Sequence, residues 1–561
     1  MRELRHRFKM KRTRFVFLSA AFGGFLCLAG IPAFSAEPDV SPKTVSFDAE
    51  KLKKNKTGLY ADIFDQIVYE KGAQFLRLGD LARRLTGKEK RIPARDVNIF
   101  DEVPDSLFFT NRQGREPLSK EALRDGTGEA VPAEGDWTVI KGKTEGVNAG
   151  FFIKDSTGQK FLLKFDPIDY PELASASESI SSRIFYAAGY NVPSYHVVEF
   201  PLDRLVPAPD AKFFDQDGFN KPLTKEKIAE LLHSAGKTKE GLYRASASKF
   251  LKGEILGPFS LSGCRSEDPN DTVPHRVLRT VRALRIMASW VNYYDLRMEN
   301  TMDVLEDSAG GKVIRHYVYD FGSTLGSAGY GPKPPQFGHE YIFDYRDIAK
   351  ALFTLGFWEK PWQKRWDENK RRVSMRSAGY FDNLYFNPGK WKPQLPYDAY
   401  DELTDADGFW AAKIILSFSE EDLKAIIETG KLTNDKVREY ITGTLLERRK
   451  LIGEYWFDQT APLDWFQIET RAEGLTVRAT DLALYYGLKA SARYRVSAPG
   501  FEKEYDRPEF FIETGKPASL PDPLILEVQS TRSDGRWSKK VCLTLARRGD
   551  RFELSKIERQ L

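Results

Sequence analysis

Apolar and polar positions along this chain change rhythm several times. Trp137–Ile140, Gly150–Lys154 and Lys160–Phe165 are short apolar-rich runs that read as strands, with Asp155-Ser156-Thr157-Gly158 as a strong reversal between the last two. Facing positions in an antiparallel hairpin keep a constant index sum, so a turn near Thr157 sets Lys164 opposite Gly150. Tyr170 to Tyr190 has helical spacing, opened by Pro171-Glu172 and closed by Gly189. Leu173, Ile180 and Ile184 form its apolar stripe, and Glu178 lies on another face. Tyr195–Phe200 reads as a strand and Lys225–Leu232 as a helix, while Tyr243–Phe259 follows neither period.

Val277, Val281, Leu284, Ala288 and Val291 recur at the spacing of a long buried helix, with Asp271 or Thr272 as its cap. Asp268, Asn270 and Asp271 read as capping and turn residues rather than as a calcium site, and His275 as structural. Thr301–Leu305 and Val313–Tyr319 read as strands around the turn Asp307-Ser308-Ala309-Gly310-Gly311. A reversal centred on Gly310 would put Asn300 across from Asp320; a one-residue slip would send the side chains to opposite faces. Asp344–Phe357, Gly408–Phe418, Glu420–Thr429 and Asn434–Phe457 read as helices. From about Arg478 short strands return, at Ala492–Val496, Phe510–Glu513, Leu524–Val528, Lys539–Leu545 and Phe552–Leu554. The expected class is α+β.

The N-terminus changes the charge picture. Residues 1–36 hold seven Lys or Arg and one acid, Glu3, and an uncharged apolar run extends from Phe15 to Ala36. This is the pattern of a signal peptide, cleaved after Ser35 or Ala36, and it predicts a periplasmic or extracellular protein. The run is also long enough to span a bilayer, so an uncleaved anchor is the alternative. The whole chain is +5 and this segment is +6, which leaves the remainder near −1. Net charge therefore gives no reason to expect a nucleic-acid partner. Cys264 and Cys542, the two cysteines left after cleavage, read as a pair of buried or unreactive thiols. Glu37–Lys56 reads as a polar leader, Leu59–Leu85 as helical, and Val97–Arg112 as an ordered extension laid over a domain.

The candidate chemistry is Asp295-Leu296-Arg297-Met298-Glu299-Asn300 followed by Asp320-Phe321-Gly322. Two carboxylates and an amide can orient a hydroxyl and hold Mg²⁺ against phosphates. Upstream, Lys164 stands beside a loop carrying Gly142 and Gly146, where it could reach phosphates under that loop. Glu178 is the candidate partner for Lys164, with Glu172 as the runner-up.

These segments resemble the protein-kinase-like superfamily, in which a D-x-x-x-x-N loop and a D-F-G tripeptide flank a hairpin. Lys141–Asn148 matches neither usual glycine pattern, Tyr293 stands where the common motif has histidine, and no A-P-E follows. The resemblance is therefore to the atypical HipA-type and phosphoinositide-kinase-like branch. The segments VNIFDEVPDSLFFTNR, FLLKFD, GYNVP and YDFGSTLGS also resemble a family of exported bacterial proteins.

The resemblance implies a two-lobed core, β-rich then α-rich, with an N-terminal extension and a C-terminal β-sandwich-like appendage. The expected boundaries are a signal peptide at 1–36, an extension at 37–136, an N-lobe and hinge at 137–260, a C-lobe at 261–470 and a β-rich domain at 471–561. It implies ATP held by Lys164 and the Gly142–Gly146 loop, and Mg²⁺ held by Asn300 and Asp320. Asp295 would orient the acceptor hydroxyl or take its proton, and Glu178 would hold Lys164. The acceptor, protein or small molecule, is open. So are two other readings, a degenerate kinase fold that binds or scaffolds in the envelope and nucleotidyl transfer at the same site. The β domain would serve packing or an envelope partner.

Overall fold

The computed structural model describes residues 52–55, 58–70, 92–142, 149–215, 219–309, 311–334, 336–360, 362, 376–513 and 520–561. The expected signal peptide, Gly146 and the later part of the Leu59–Leu85 helix lie outside these residues.

The first layer is a seven-stranded sheet built from β1 (Trp137–Gly142), β2 (Gly150–Lys154), β3 (Lys160–Phe165), β4 (Tyr195–Phe200), β5 (Leu205–Phe214), β6 (Asn220–Pro222) and β7 (Tyr243–Lys249). Its spatial order is β4-β7-β3-β2-β1-β5-β6. Inward residues such as Val139, Phe151, Phe161 and Leu163 alternate with more exposed ones and form one core. The β2–β3 register places Gly150 opposite Lys164, as the turn at Thr157 predicts. Helix α1 (Leu173–Ala188) packs against this sheet. Gly189 closes it at φ 121°, where a side chain would strike Phe109 at 2.3 Å.

The helix-rich part has its own core, built by α2 (Arg279–Val291), α4 (Asp405–Leu416), α5 (Glu420–Glu428) and α6 (Asp435–Phe457), with Ile180 and Ile184 of α1 packed into it, while α3 (Tyr345–Phe353) adds none of its apolar residues. The expected cap of α2 at Asp271 or Thr272 is corrected. A short 3-10 turn, His275–Val277, comes first, and Asp96 from the extension caps Arg279 and Thr280 through their backbone N–H groups at 2.5 and 3.0 Å. Asp271 instead accepts from the Arg265 N–H and from His275 Nε2. The extension is thereby sewn into this core, with Phe109 fully buried against Tyr190 and Trp410. Beside the helices lies a small sheet ordered β10-β9-β8, of β8 (Glu254–Gly257), β9 (Thr301–Ser308) and β10 (Gly311–Val318).

Two further sheets share a third core: β11 (Leu463–Arg471), β12 (Gly474–Asp481) and β15 (Glu509–Glu513) in one, and β13 (Tyr494–Ala498), β14 (Phe501–Tyr505), β16 (Leu524–Ser530), β17 (Val541–Arg548) and β18 (Arg551–Arg559) in the other. The first strand, β11, begins ahead of the boundary at 471 expected from sequence. The class is α+β, with a strand-rich part, a helix-rich part and a β-rich C-terminal part in chain order. Among the described residues no helix is long and apolar enough to cross a membrane.

A buried ionic network joins these parts. Asp407 accepts from Arg279 and Arg282 of α2 at 3.0 and 3.2 Å, and Asp101 pairs with Arg279 at 2.7 Å and Arg559 at 3.1 Å. Lys413 bridges Glu102 and Asp464, the latter at 2.8 Å. Each cation in this network meets at least one carboxylate, the condition for burying charge at a tolerable cost.

Candidate active site

Three elements bring the candidate residues together. Strand β3 presents Lys164, α1 presents Glu178, and the chain leaving β10 presents Asp320. Lys164 Nζ lies 2.8 Å from Glu178 Oε1 and 2.7 Å from Asp320 Oδ1. Burial works to lower the Lys164 pKa, but the carboxylates of Asp320 and Glu178 outweigh it and hold the pKa well above the usual lysine range. Glu178 is raised by its own burial and by Asp320, with Lys164 opposing. Glu172, the runner-up, is elsewhere: its carboxylate accepts from Thr433 at 2.7 Å.

The hairpin carrying the second half of the site is shifted by one residue from expectation. Ser308 pairs with Gly311 and Thr301 with Val318, so Asn300 stands across from Tyr319, whose N–H donates to its carbonyl. In a regular ladder that slip would turn Asn300 and Asp320 to opposite faces. Asp320, however, has left the ladder. Its backbone is left-handed, at φ 62° and ψ 62°, a conformation aspartate tolerates better than most residues. Its N–H donates to the Tyr195 hydroxyl at 2.9 Å. Strand alternation therefore no longer dictates where this carboxylate points.

Phe321 anchors the turn from below. It is fully buried, with ring centres 5.0 Å from Phe185, 5.4 Å from Tyr293 and 5.9 Å from Tyr195. Tyr293 donates its hydroxyl to the Tyr319 carbonyl at 2.5 Å. It thus ties the Asp295 loop to the strand that leads into Asp320.

Asp295 and Asn300 form a local unit. The Asn300 amide nitrogen donates to the Asp295 carbonyl at 2.6 Å and to its carboxylate at 3.2 Å. This commits the nitrogen and leaves the amide oxygen as the atom that would meet a cation. Burial raises the Asp295 pKa; Arg297 opposes this, Asp320 adds to it and Lys333 opposes it. Arg297 Nε sits 2.9 Å from Asp295 and also pairs with Glu299.

The donor set fits a hard divalent cation held jointly with phosphates. It offers the Asp320 carboxylate and the Asn300 amide oxygen, all oxygen ligands. Among the described residues no group of three or more His, Cys, Asp or Glu could cage a metal unaided. Mg²⁺ is commonly bound this way, by one or two protein ligands plus the substrate's own oxygens. Gly142 ends β1 opposite Phe151, and a side chain there would approach the Phe213 Cβ at 3.0 Å. Packing against β5 thus accounts for that glycine locally.

Two polar residues of this region were not singled out from sequence. Arg297 is the only cation between Asp295 and Asn300, and Lys333 is the only charged residue in the Gly- and Pro-rich run from Gly322 to Pro335. Both signals were visible as isolated charges.

No family model and no curated protein matches the chain. Among solved structures it is similar to the Helicobacter pylori proinflammatory kinase CtkA, at 13% identity and a TM-score of 0.30, over 56% of this chain and 95% of that one. It is also similar to the Golgi casein kinase with Mn/ADP bound, at 10% identity and a TM-score of 0.27, over 73% and 95%. A second structure of the Golgi casein kinase gives 11% identity and a TM-score of 0.25, over 72% and 95%. Likeness at this level carries no functional argument, which has to come from the side-chain geometry.

Proposed function

We propose that this chain is an exported phosphotransferase that moves a phosphoryl group from a nucleoside triphosphate to an acceptor hydroxyl. One observation carries the reading: the Lys164 ammonium bridges Glu178 and Asp320, with the Asp295–Asn300 unit part of the same electrostatic cluster. A lysine held charged by two carboxylates is set to neutralise phosphate oxygens, and Glu178 keeps it in place.

In this reading the acceptor oxygen forms the new bond to the terminal phosphorus while the bond to the leaving diphosphate breaks. Asp295 orients the acceptor hydroxyl and takes its proton. Burial favours the protonated form of Asp295 and makes its carboxylate a stronger base, while Arg297 keeps the ionised form accessible. Asn300 and Asp320 would hold Mg²⁺, which when bound supplies charge neutralisation on the phosphates. Export is supported by the basic segment Met1–Arg14 and the apolar run Phe15–Ala36.

Calorimetry with Mg-ATP on the purified protein tests the reading. The wild type is expected to give binding heat, and Asp320→Asn, which keeps the left-handed turn and removes the charge, to lose it while remaining folded by circular dichroism. Absence of heat with any nucleotide triphosphate would overturn the proposal and leave a binding or scaffolding module.

A further inference from the structure

Lys333 is a buried cation that the chemistry above leaves without a role. Only 1% of its surface is exposed. Its ammonium donates to the Asn292 carbonyl at 2.7 Å and to the Ser323 carbonyl. These acceptors lie on different segments. Asn292 ends α2 in a left-handed conformation just before Asp295, and Ser323 belongs to the turn just after Asp320-Phe321-Gly322.

The neighbourhood is built around this junction. The Lys333 N–H donates to the Gly326 carbonyl, and the Asn292 side chain accepts from Trp391 Nε1 at 2.9 Å. A side chain at Gly338 would strike Asn292 Oδ1 and Trp391 Nε1 at 2.6 and 2.7 Å, so the chain passes there at closest approach. Tyr294 stacks on Phe337 with ring centres 4.0 Å apart, and the Lys333 ammonium lies 5.9 and 5.8 Å from those two rings. Lys333, Phe337 and Gly338 thus lie against the stretch Asn292–Asp295.

We propose that Lys333 is a positioning residue of the site, whose ammonium latches the segment after Asp320 onto the Asp295 loop and supplies a positive charge facing Asp295. The inference rests on the phosphotransferase reading for its catalytic consequence, but the latch is a property of the fold. A surface lysine would not serve. Two carbonyls from separate segments converge on one point, and only a compact cation with several donors satisfies both while adding charge.

The charged groups acting on Lys333 make the latch sensitive near neutral pH. Burial depresses its pKa to about 7, against the pull of Asp295 and with Arg448 of α6 adding to the depression. Below that pH the ammonium faces Asp295. Above it the neutral amine still offers two N–H donors but no longer presents a positive charge to Asp295.

Two measurements on the full chain test this, using Lys333→Met and Lys333→Arg. Hydrogen exchange reads the latch: amides of residues 323–338 are expected to exchange at least tenfold faster in Lys333→Met, and unchanged exchange would overturn the latch whatever the activity. Mg-ATP turnover against pH reads the charge. The wild-type rate is expected to fall as pH rises through about 7. Lys333→Met is expected to be at least tenfold slower at pH 6.5, with Mg-ATP affinity within twofold of wild type. Lys333→Arg, charged throughout, is expected to restore part of the rate and to lose the fall near pH 7. A Lys333→Met rate and profile equal to wild type would overturn the positioning role. Absence of wild-type turnover at every pH would overturn the phosphotransferase reading, with the exchange result still deciding the latch.

Discussion

A methyl group added at Gly322 would stand 3.3 Å from Glu178 Oε1 and 3.6 Å from Asp320 Oδ1. The absence of a side chain there is what lets two carboxylates and Lys164 close on one another. Gly322→Ala is therefore expected to fold normally but to push Glu178 off Lys164 by a few tenths of an ångström. Misplacement on that scale should cost about tenfold in turnover, and steady-state kinetics with Mg-ATP checks it. At this scale much of the site was legible in advance. Lys164, Glu178 and Asp320 are charged residues at spacings that a strand, a helix and a hairpin bring together. Arg297 and Lys333 were passed over because an isolated cation in a loop carries no period, and only coordinates show which carbonyls or carboxylates it meets.

At the scale of elements, strands with a sharp turn signal and clear alternation were readable to the residue, as the Gly150–Lys164 pairing shows. Strand β7 was not, because it lies between β3 and β4 and its first five residues are all buried. Ala245, Ser246 and Ala247 are small enough to fit there and leave no polar–apolar rhythm to read. Strand β11 was missed for a different reason. Trp465 adopts φ 52° and the β11–β12 register breaks between Asp464 and Gln467, so a bulge interrupts the alternation.

Strand β4 also yields a pH prediction. It forms an edge of the seven-stranded sheet, and His196 Nε2 lies 2.9 Å from the Glu129 carbonyl of the covering segment. Burial, reinforced by Arg183, lowers the His196 pKa to about 4, and burial does the same to His339. With a depressed folded-state value, the unfolded chain takes up the proton first as pH falls below about 6.5. Stability is then full above that pH and is lost as pH falls toward 4, by at most about 3 kcal/mol per histidine. Chemical denaturation at stepped pH should show this slope, and His196→Gln should remove roughly half of it.

At the scale of the whole molecule, the β-rich C-terminal part is bound to the helices by charge as well as by apolar contact. Asp464 of β11 pairs with Lys413 of α4, and the two nearby carboxylates, Asp464 and Glu102, hold the lysine pKa above its usual value although burial opposes them. Asp464→Ala leaves that lysine with Glu102 alone and is expected to cost about 3–5 kcal/mol, read as a drop in the denaturation midpoint. A compensating Lys413→Met in the same chain should recover part of the loss, because an apolar side chain of similar length needs no partner there.

Asp101 grips Arg279 and Arg559 at once, so one carboxylate waits for a guanidinium about four-fifths of the sequence further on. Contacts of such separation are slow to form. During synthesis the α2 arginine reaches Asp101 long before Arg559 does. Arg559 can close on Asp101 only once β18 has been made, so of the two clasps on this carboxylate the one that ties the extension to the last strand forms second.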